Sequence, residues 1–215
     1  MMGDELLPNI APIKIKDLSV YRNNLMYSTV NLCRFIIHLS GFDVVCFEQQ
    51  NEIGGLWRYT NEETHSSVCK STVINTSKEM MSYSDFPPPK EFPIYMHNTK
   101  VMEYFIMYAE KFDLLKYIKF NTVISSVKKS SDHEVTGKWD IVHSPVGKEI
   151  VGKKTETFDF VFVCTGHHWQ KNLPTFEGLE KFKGIKIHSK AYKDFKGFEN
   201  KNVLVVGEIN LLFCR

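Results

Sequence analysis

Glycine is absent from a long stretch near the amino terminus of this chain of 215 residues. There is no glycine between Gly3 and Gly41. A backbone that wraps around a phosphate group usually needs glycine, because a Cβ atom would block the close approach. The absence therefore argues against a glycine-rich phosphate-binding turn in this stretch.

Three further absences narrow the functional classes. The five cysteines form no CxxC pair, which excludes a dithiol reductase and a paired-cysteine metal site, so we expect no metal, and no disulfides. The amino terminus lacks the apolar core of a signal peptide, and the most apolar stretch, 30–39, is too short to span a membrane and carries Arg34. The formal net charge is only +2, so no nucleic-acid partner is expected.

The most informative stretch begins with an apolar run at 44–47, which predicts a buried parallel strand. Glu48 follows it directly. In a dinucleotide-binding βαβ unit the second strand ends in such an acid, which binds the adenosine ribose, although an acid also suits a solvated strand end. The glycine pair at 54–55 allows a tight turn, and Leu56 and Trp57 then add a large apolar surface. Together these features favour a flavin nucleotide site.

Two helices are predicted, with irregular chain between them. One is expected over 27–39 and the other over 99–112, capped by Asn98. Residues 60–95 are rich in polar residues and proline, which predicts loops. The second helix carries a core-facing stripe of Val101, Phe105, Tyr108 and Phe112.

Strands are predicted elsewhere in the chain. Residues 122–127 and 138–143 alternate polar and apolar side chains. Residues 158–164 form an apolar run typical of a buried central strand, and 201–207 predict another strand. Residues 1–20 are expected to be loop, with no strand preceding the first helix.

Four stretches carry a family resemblance. "CFEQQNEIGGLWRYT" at 46–60 resembles the flavin-containing monooxygenases of animals. Residues 74–80 resemble the family's asparagine loop, and 164–168 resemble the link between its flavin and NADPH domains. Residues 182–192 fit the family's identifying pattern F-x-G-x-x-x-H-x-x-x-F/Y. The resemblance extends from about Gly41 to Gly207.

The resemblance implies an α/β fold. It consists of a partial FAD-binding, doubly wound (Rossmann-like) domain with an antiparallel β-meander, and of an NADPH domain that is only begun. Residues 1–41 are then an atypical N-terminal segment, and 42–170 are the FAD-binding-type domain. Residues 171–215 are a linker and the first strand of an incomplete NADPH-binding domain.

The same resemblance implies an FAD- and NADPH-dependent monooxygenase that oxygenates an amine nitrogen or a thioether sulfur with O2 through a flavin hydroperoxide. It places the protein at the cytosolic face of the endoplasmic reticulum membrane. Asn75 matches the family's catalytic asparagine, which contacts both flavin and NADP. The other candidate cofactor-binding residues by resemblance are Glu48, Gly55, Leu56, Trp57, Ile74, Thr76 and Gly207.

Both ends of the chain depart from the family. By the family's spacing, the first phosphate-binding glycines would fall at Leu25, Tyr27 and Val30, and Ile209 and Leu212 replace two glycines of the second turn. We therefore expect weak or lost FAD and NADP(H) binding. The family's membrane anchor has no match, which would leave this form cytosolic. The alternative hypothesis is an inactive truncated isoform or gene-model product that acts at most as a binding or interfering protein.

Overall fold

The computed structural model describes the chain over residues 16–20, 43–63, 65–166 and 171–207. In the described part a parallel sheet of four strands is the central layer, in the order β3-β2-β1-β7. Its strands are β1 (Lys16–Val20), β2 (Asp43–Phe47), β3 (Ile118–Lys119) and β7 (Phe160–Val163).

An antiparallel meander forms a second layer. It comprises β4 (Thr122–Lys129), β5 (Trp139–Pro145) and β6 (Lys154–Phe158), paired in chain order. A short helix, α2 (His133–Thr136), joins β4 to β5. Because β7 begins at Phe160, only one residue separates the meander from the parallel sheet. The predicted meander, and its return to the parallel sheet, are therefore confirmed.

The main helix, α1 (Asn98–Lys111), lies on the other side of the sheet from the meander. Its cap is His97, whose Nδ1 accepts the Thr99 N–H, so the prediction of Asn98 as the cap is wrong. The predicted apolar stripe is confirmed, since Val101, Phe105 and Tyr108 are buried and Phe112 packs against them. Within the ranges given above, four 3-10 turns complete the regular structure: Gly55–Trp57, Leu115–Tyr117, Leu179–Lys181 and Ser189–Ala191.

Alternation along β2 explains why the sheet has a core on each face. Successive strand side chains point to opposite faces. Val44 and Cys46 enter the core formed with α1 and the loops before it. Phe47 enters a second core formed with the meander. Each large side chain buried in this way contributes about 1.5–3 kcal/mol, so both layers are held to the sheet mainly by apolar burial.

Several sequence predictions need correction. Residues 16–20 form β1 rather than loop, and they pair with both β2 and β7. Within the stretch predicted as one buried central strand, 158–164, Phe158 instead ends β6, whereas β7 lies in the same parallel sheet as 44–47, as expected. However, β7 is at the edge of the described sheet and Val163 is 65% exposed. Residues 201–207 form neither helix nor strand. The helix predicted over 27–39 lies outside the described residues.

Two smaller findings concern cysteines and membranes. Cys46 and Cys164 are not disulfide-bonded, whereas Cys69 is, so the expectation of a chain without disulfides is wrong. None of the helices in the described ranges has the length and apolarity needed to cross a membrane.

Candidate functional site

The carboxyl ends of the parallel strands meet at one edge of the sheet. Val20 at the end of β1 is in register with Phe47 of β2 and Val163 of β7. Glu48 and Cys164, which directly follow these strands, therefore flank the end of β1. The chain leaves β1 towards β2 on one side, while β7 arrives on the other side from the meander. Crevices at such a reversal of strand order are the usual ligand sites of open α/β sheets.

Glu48 is fixed at this edge by its own backbone. Its N–H donates to the Lys119 carbonyl at 3.1 Å, and its carbonyl accepts the Thr122 N–H at 2.9 Å. The Gln50 N–H donates to the Glu48 Oε1 atom at 2.8 Å. The half-buried carboxylate is thus oriented at the strand end, where the sequence predicted an acid for the ribose.

The glycine turn packs against α1. Gly54 has a φ of +117° and Gly55 a φ of +50°, both in the region that favours glycine. The Trp57 N–H donates to the Gly54 carbonyl at 3.0 Å, which closes the turn. Half-buried Trp57 packs against the apolar core cluster to which Ile74 also belongs. Leu56 is also half-buried, and its carbonyl accepts the Val68 N–H at 2.8 Å.

The asparagine loop presents a buried residue, an exposed residue and a hydroxyl in succession. Ile74 is buried, and its N–H donates to the Met96 carbonyl at 2.9 Å. Asn75 is exposed. The Thr76 Oγ1 atom is buried and has no hydrogen-bond partner among the described residues. A buried hydroxyl without a partner costs about 1–3 kcal/mol, and a polar ligand atom at that position would remove the cost.

Gly207 stands apart from the other candidates. It is exposed, has a φ of +146°, and lies in the irregular segment 201–207. Within the described residues, no hydrogen bond or core contact links Gly207 to the glycine turn or to the asparagine loop.

The identifying pattern has a structural reason at each fixed position. A Cβ atom at Gly184 would lie 2.5 Å from Cζ of Phe182, so a larger residue there would force the exposed ring to move. The Nδ1 atom of His188 accepts the Lys190 N–H at 3.1 Å and caps the turn at Ser189–Ala191. The Tyr192 ring packs edge-on against Phe198 at 5.7 Å. The pattern therefore fixes the shape of this segment.

Sequence analysis missed two residues that support the site. Lys193 is 7% exposed, and its Nζ donates to the His65 carbonyl at 3.0 Å and to Ser67 Oγ at 2.8 Å. Burial lowers the pKa of the Lys193 ammonium, because the charged form loses its hydration. Asn98, predicted only as a cap, donates from Nδ2 to the carbonyls of Cys69 and Lys70. The only sequence signal for Lys193 is its place directly after the pattern.

No group of three potential metal ligands occurs within the ranges that the structure covers. Glu156 of β6 is the centre of an ion-pair cluster. Its carboxylate accepts from Nε2 of His143 in β5 at 2.8 Å and from Nζ of Lys119 in β3 at 3.2 Å. His143 also packs against Phe47, with ring centroids 4.6 Å apart, so the cluster supports the strand that carries Glu48.

This geometry agrees with a family model described as flavin-binding monooxygenase-like, which matches residues 33–211. The chain belongs to this family. Within it, the chain is 50% identical over 171 residues to human flavin-containing monooxygenase 5 (Homo sapiens), covering 78% of this chain and 31% of the relative. It is 47% identical, with the same coverage, to dimethylaniline monooxygenase (N-oxide-forming) 2 of guinea pig (Cavia porcellus). The chain thus spans about a third of the length of these curated relatives.

A solved structure shares the fold at low sequence identity. The S-allyl-L-cysteine S-oxygenase of Allium sativum superposes with a TM-score of 0.70 at 20% identity. The match covers 84% of this chain and 43% of the solved chain. Over the matched region, this chain therefore has the fold of the flavin monooxygenases, in which an antiparallel meander is attached to a parallel sheet.

Proposed function

We propose that this chain forms the flavin-binding part of an NADPH-dependent monooxygenase that oxygenates an amine nitrogen or a thioether sulfur. The observation that carries the proposal is the position of Glu48, directly after β2 at the carboxyl edge and beside the end of β1. Family membership supports the reaction class. The names of two relatives, one N-oxide-forming and one an S-oxygenase, support the substrate class.

FAD would be held by residues from both sides of this edge. Glu48 would bind the adenosine ribose hydroxyls with its carboxylate. Gly55, Leu56 and Trp57 would contact the isoalloxazine ring, since the positive φ angles let the backbone approach a flat ligand closely. Thr76 would donate to a polar flavin atom through its buried hydroxyl, which lacks a partner.

NADP(H) would contact the asparagine loop. Asn75 is exposed and carries both a donor and an acceptor, so its amide can orient a flavin edge and a nicotinamide amide together. Ile74 holds that loop in the core beneath it. Gly207 would belong to the second nucleotide turn. When bound, NADPH supplies a hydride to FAD, and the reduced flavin activates O2.

The chain's own contribution is binding, orientation and the exclusion of water. Ile74 of the asparagine loop belongs to the apolar core, and Trp57 of the glycine turn packs against that core. A dry surface there would protect the reduced cofactor from unproductive discharge. By the family resemblance, we further propose that the protein acts at the cytosolic face of the endoplasmic reticulum membrane, which cell fractionation would test.

The test is an assay of purified protein with saturating FAD, NADPH and O2. Because the phosphate-binding glycines are missing, we expect turnover only at these saturating concentrations, as NADPH oxidation coupled to formation of an S-oxide from a thioether or an N-oxide from a tertiary amine. Glu48→Ala should raise the FAD concentration needed. Glu103→Ala, at an exposed glutamate that pairs with Lys100, is the matched control. Absence of turnover at every FAD concentration would contradict the proposal and leave the inactive alternative.

A further inference from the structure

We propose that Lys193 is a positioning residue: it fastens the segment after the 182–192 pattern to the loop at 65–72, and through that loop it fixes Leu56 and Trp57. The contacts from Lys193 through the loop to Leu56 involve only residues of this chain and do not depend on the proposed function. Its consequence for flavin binding rests on the proposed function. Three sets of contacts carry the inference.

The first set buries the lysine against neutral acceptors. The Nζ atom of Lys193 lies within hydrogen-bond distance of the His65 carbonyl and Ser67 Oγ. The Lys193 carbonyl also accepts the Lys70 N–H at 2.8 Å, so side chain and backbone hold the same loop. Lysine is rarely buried so completely. Among the described residues its ammonium donates to neutral acceptors, and the Glu63 carboxylate acts on it only as a nearby charge. Burial of a charged ammonium among neutral partners costs free energy of desolvation. The hydrogen bonds from Lys193 to the loop offset that cost.

The second set leads from the loop to the glycine turn. Ser67 Oγ, which accepts from Lys193, donates to the Thr60 carbonyl at 3.2 Å. The next residue, Val68, donates its N–H to the Leu56 carbonyl at 2.8 Å. The ammonium of Lys193 is therefore one residue along the chain from the hydrogen bond that holds Leu56.

The third set shows that the loop has a second support on its other side. Asn98, in the first turn of α1, donates to the carbonyls of Cys69 and Lys70 at 3.0 and 3.1 Å. The same helix contacts the glycine turn through Met102. The loop is thus held between α1 and the segment after the pattern. Loss of Lys193 removes one of these two supports while the other stays.

The experiment is amide hydrogen exchange by NMR on the full chain, together with the indole N–H resonance of Trp57, assigned with Trp57→Phe. Lys193→Met keeps the length of the side chain but removes the charge and the donors. We expect about tenfold faster exchange at the Val68 amide and a shifted Trp57 indole resonance. Lys193→Arg should retain protection, because it keeps a buried donor. Lys196→Met, at an exposed lysine three residues away, is the matched control.

Two outcomes would overturn the inference. One is unchanged exchange at Val68 in Lys193→Met. The other is a loss of protection that spreads equally to the β5 amides, which would show a role in overall stability only. If Lys193→Met does not fold, Ser67→Ala decides, because it removes only the connecting hydroxyl and should also accelerate Val68 exchange. Failure of the proposed function would appear separately, as absent turnover in the unmodified chain with these exchange results intact.

Discussion

Gly54 lies so close to Met102 that a Cβ atom at residue 54 would be 2.4 Å from the Met102 Sδ atom. The φ of +117° at the same residue is one that other residues rarely adopt. The conformation of the glycine turn is therefore constrained both by the positive φ of Gly54 and by its packing against α1. This relationship connects a motif in the sequence to the packing of the helix that supports it.

Gly54→Ala should destabilise the fold by about 1–3 kcal/mol from backbone strain alone, and further through the clash with Met102. Urea unfolding measures the loss. Gly137→Ala is the matched control, because Gly137 also has a positive φ but nothing lies within 4 Å of its Cβ position. Adding Met102→Ala to Gly54→Ala should restore only the part of the stability that is lost through the clash, and not the part lost through backbone strain. Equal losses in Gly54→Ala and Gly137→Ala would show that Met102 moves aside at no cost.

Tyr104 connects α1 to the proline-rich loop. Its hydroxyl donates to the Phe86 carbonyl at 2.5 Å and accepts the Tyr83 N–H at 2.9 Å. Tyr104→Phe leaves both backbone groups without this partner and should cost about 1–3 kcal/mol. Tyr95→Phe, at an exposed tyrosine, should cost nothing measurable in the same unfolding assay.

The same tyrosine predicts a loss of stability in alkali. Burial raises the pKa of Tyr104, and the hydrogen bond from Tyr83 offsets only part of this. A group whose pKa is raised by folding stabilises the native state below its ordinary pKa, and that contribution is lost as the pH rises past it. Tyr104→Phe should therefore flatten the alkaline side of the stability profile. An unchanged alkaline slope would contradict the assignment.

Glu156 predicts the opposite dependence. Burial alone would raise the pKa of this carboxyl, but the hydrogen bonds from His143 and Lys119 outweigh burial and leave the pKa lowered. Its contribution is present above the ordinary pKa of a glutamate and is lost as the pH falls through the lowered value. Glu156→Gln should cost about 1 kcal/mol near neutral pH and less in acid. Glu134→Gln, at an exposed pair with Lys129, is the control, and equal acid slopes in both variants would refute the prediction.

Local periodicity explains which elements the sequence could predict. The apolar run of β2, the aromatic stripe of α1 and the alternation of β4 and β5 each follow from side chains within one element. Family membership, and a fold with a meander attached to a parallel sheet, could also be predicted, because the motifs at 46–60 and 182–192 lie within the matched region.

Contacts between distant residues explain what the sequence could not predict. β1 has the sequence KDLSV, which is too polar to stand out, and it is a strand because β2 and β7 pair with it on both sides. Residues 201–207 contain a strongly β-prone run, but no described strand pairs with them. Lys193 bonds to a residue 128 positions away, and no local pattern signals such a contact.

The remaining prediction concerns FAD affinity. One half of the predicted site favours FAD binding, and the other half disfavours it. Glu48 and the glycine turn are positioned for the adenosine and the flavin ring. Although β1 is in place and ends at Val20, residues 21–40 contain no glycine. The pyrophosphate would need backbone N–H groups at close approach in that stretch.

We therefore expect the protein to purify colourless and to bind FAD weakly. Charge-assisted hydrogen bonds to phosphate contribute roughly 1.5–3 kcal/mol each. Losing two or three would weaken binding by about two to six orders of magnitude, since 1.4 kcal/mol corresponds to tenfold. Introducing Gly-x-Gly-x-x-Gly between β1 and Gly41 should recover binding, measured as quenching of flavin fluorescence. Glu48→Ala in that variant should reduce the affinity again, whereas Glu103→Ala should not. A yellow protein with stoichiometric FAD from the unmodified chain would show that other groups bind the pyrophosphate.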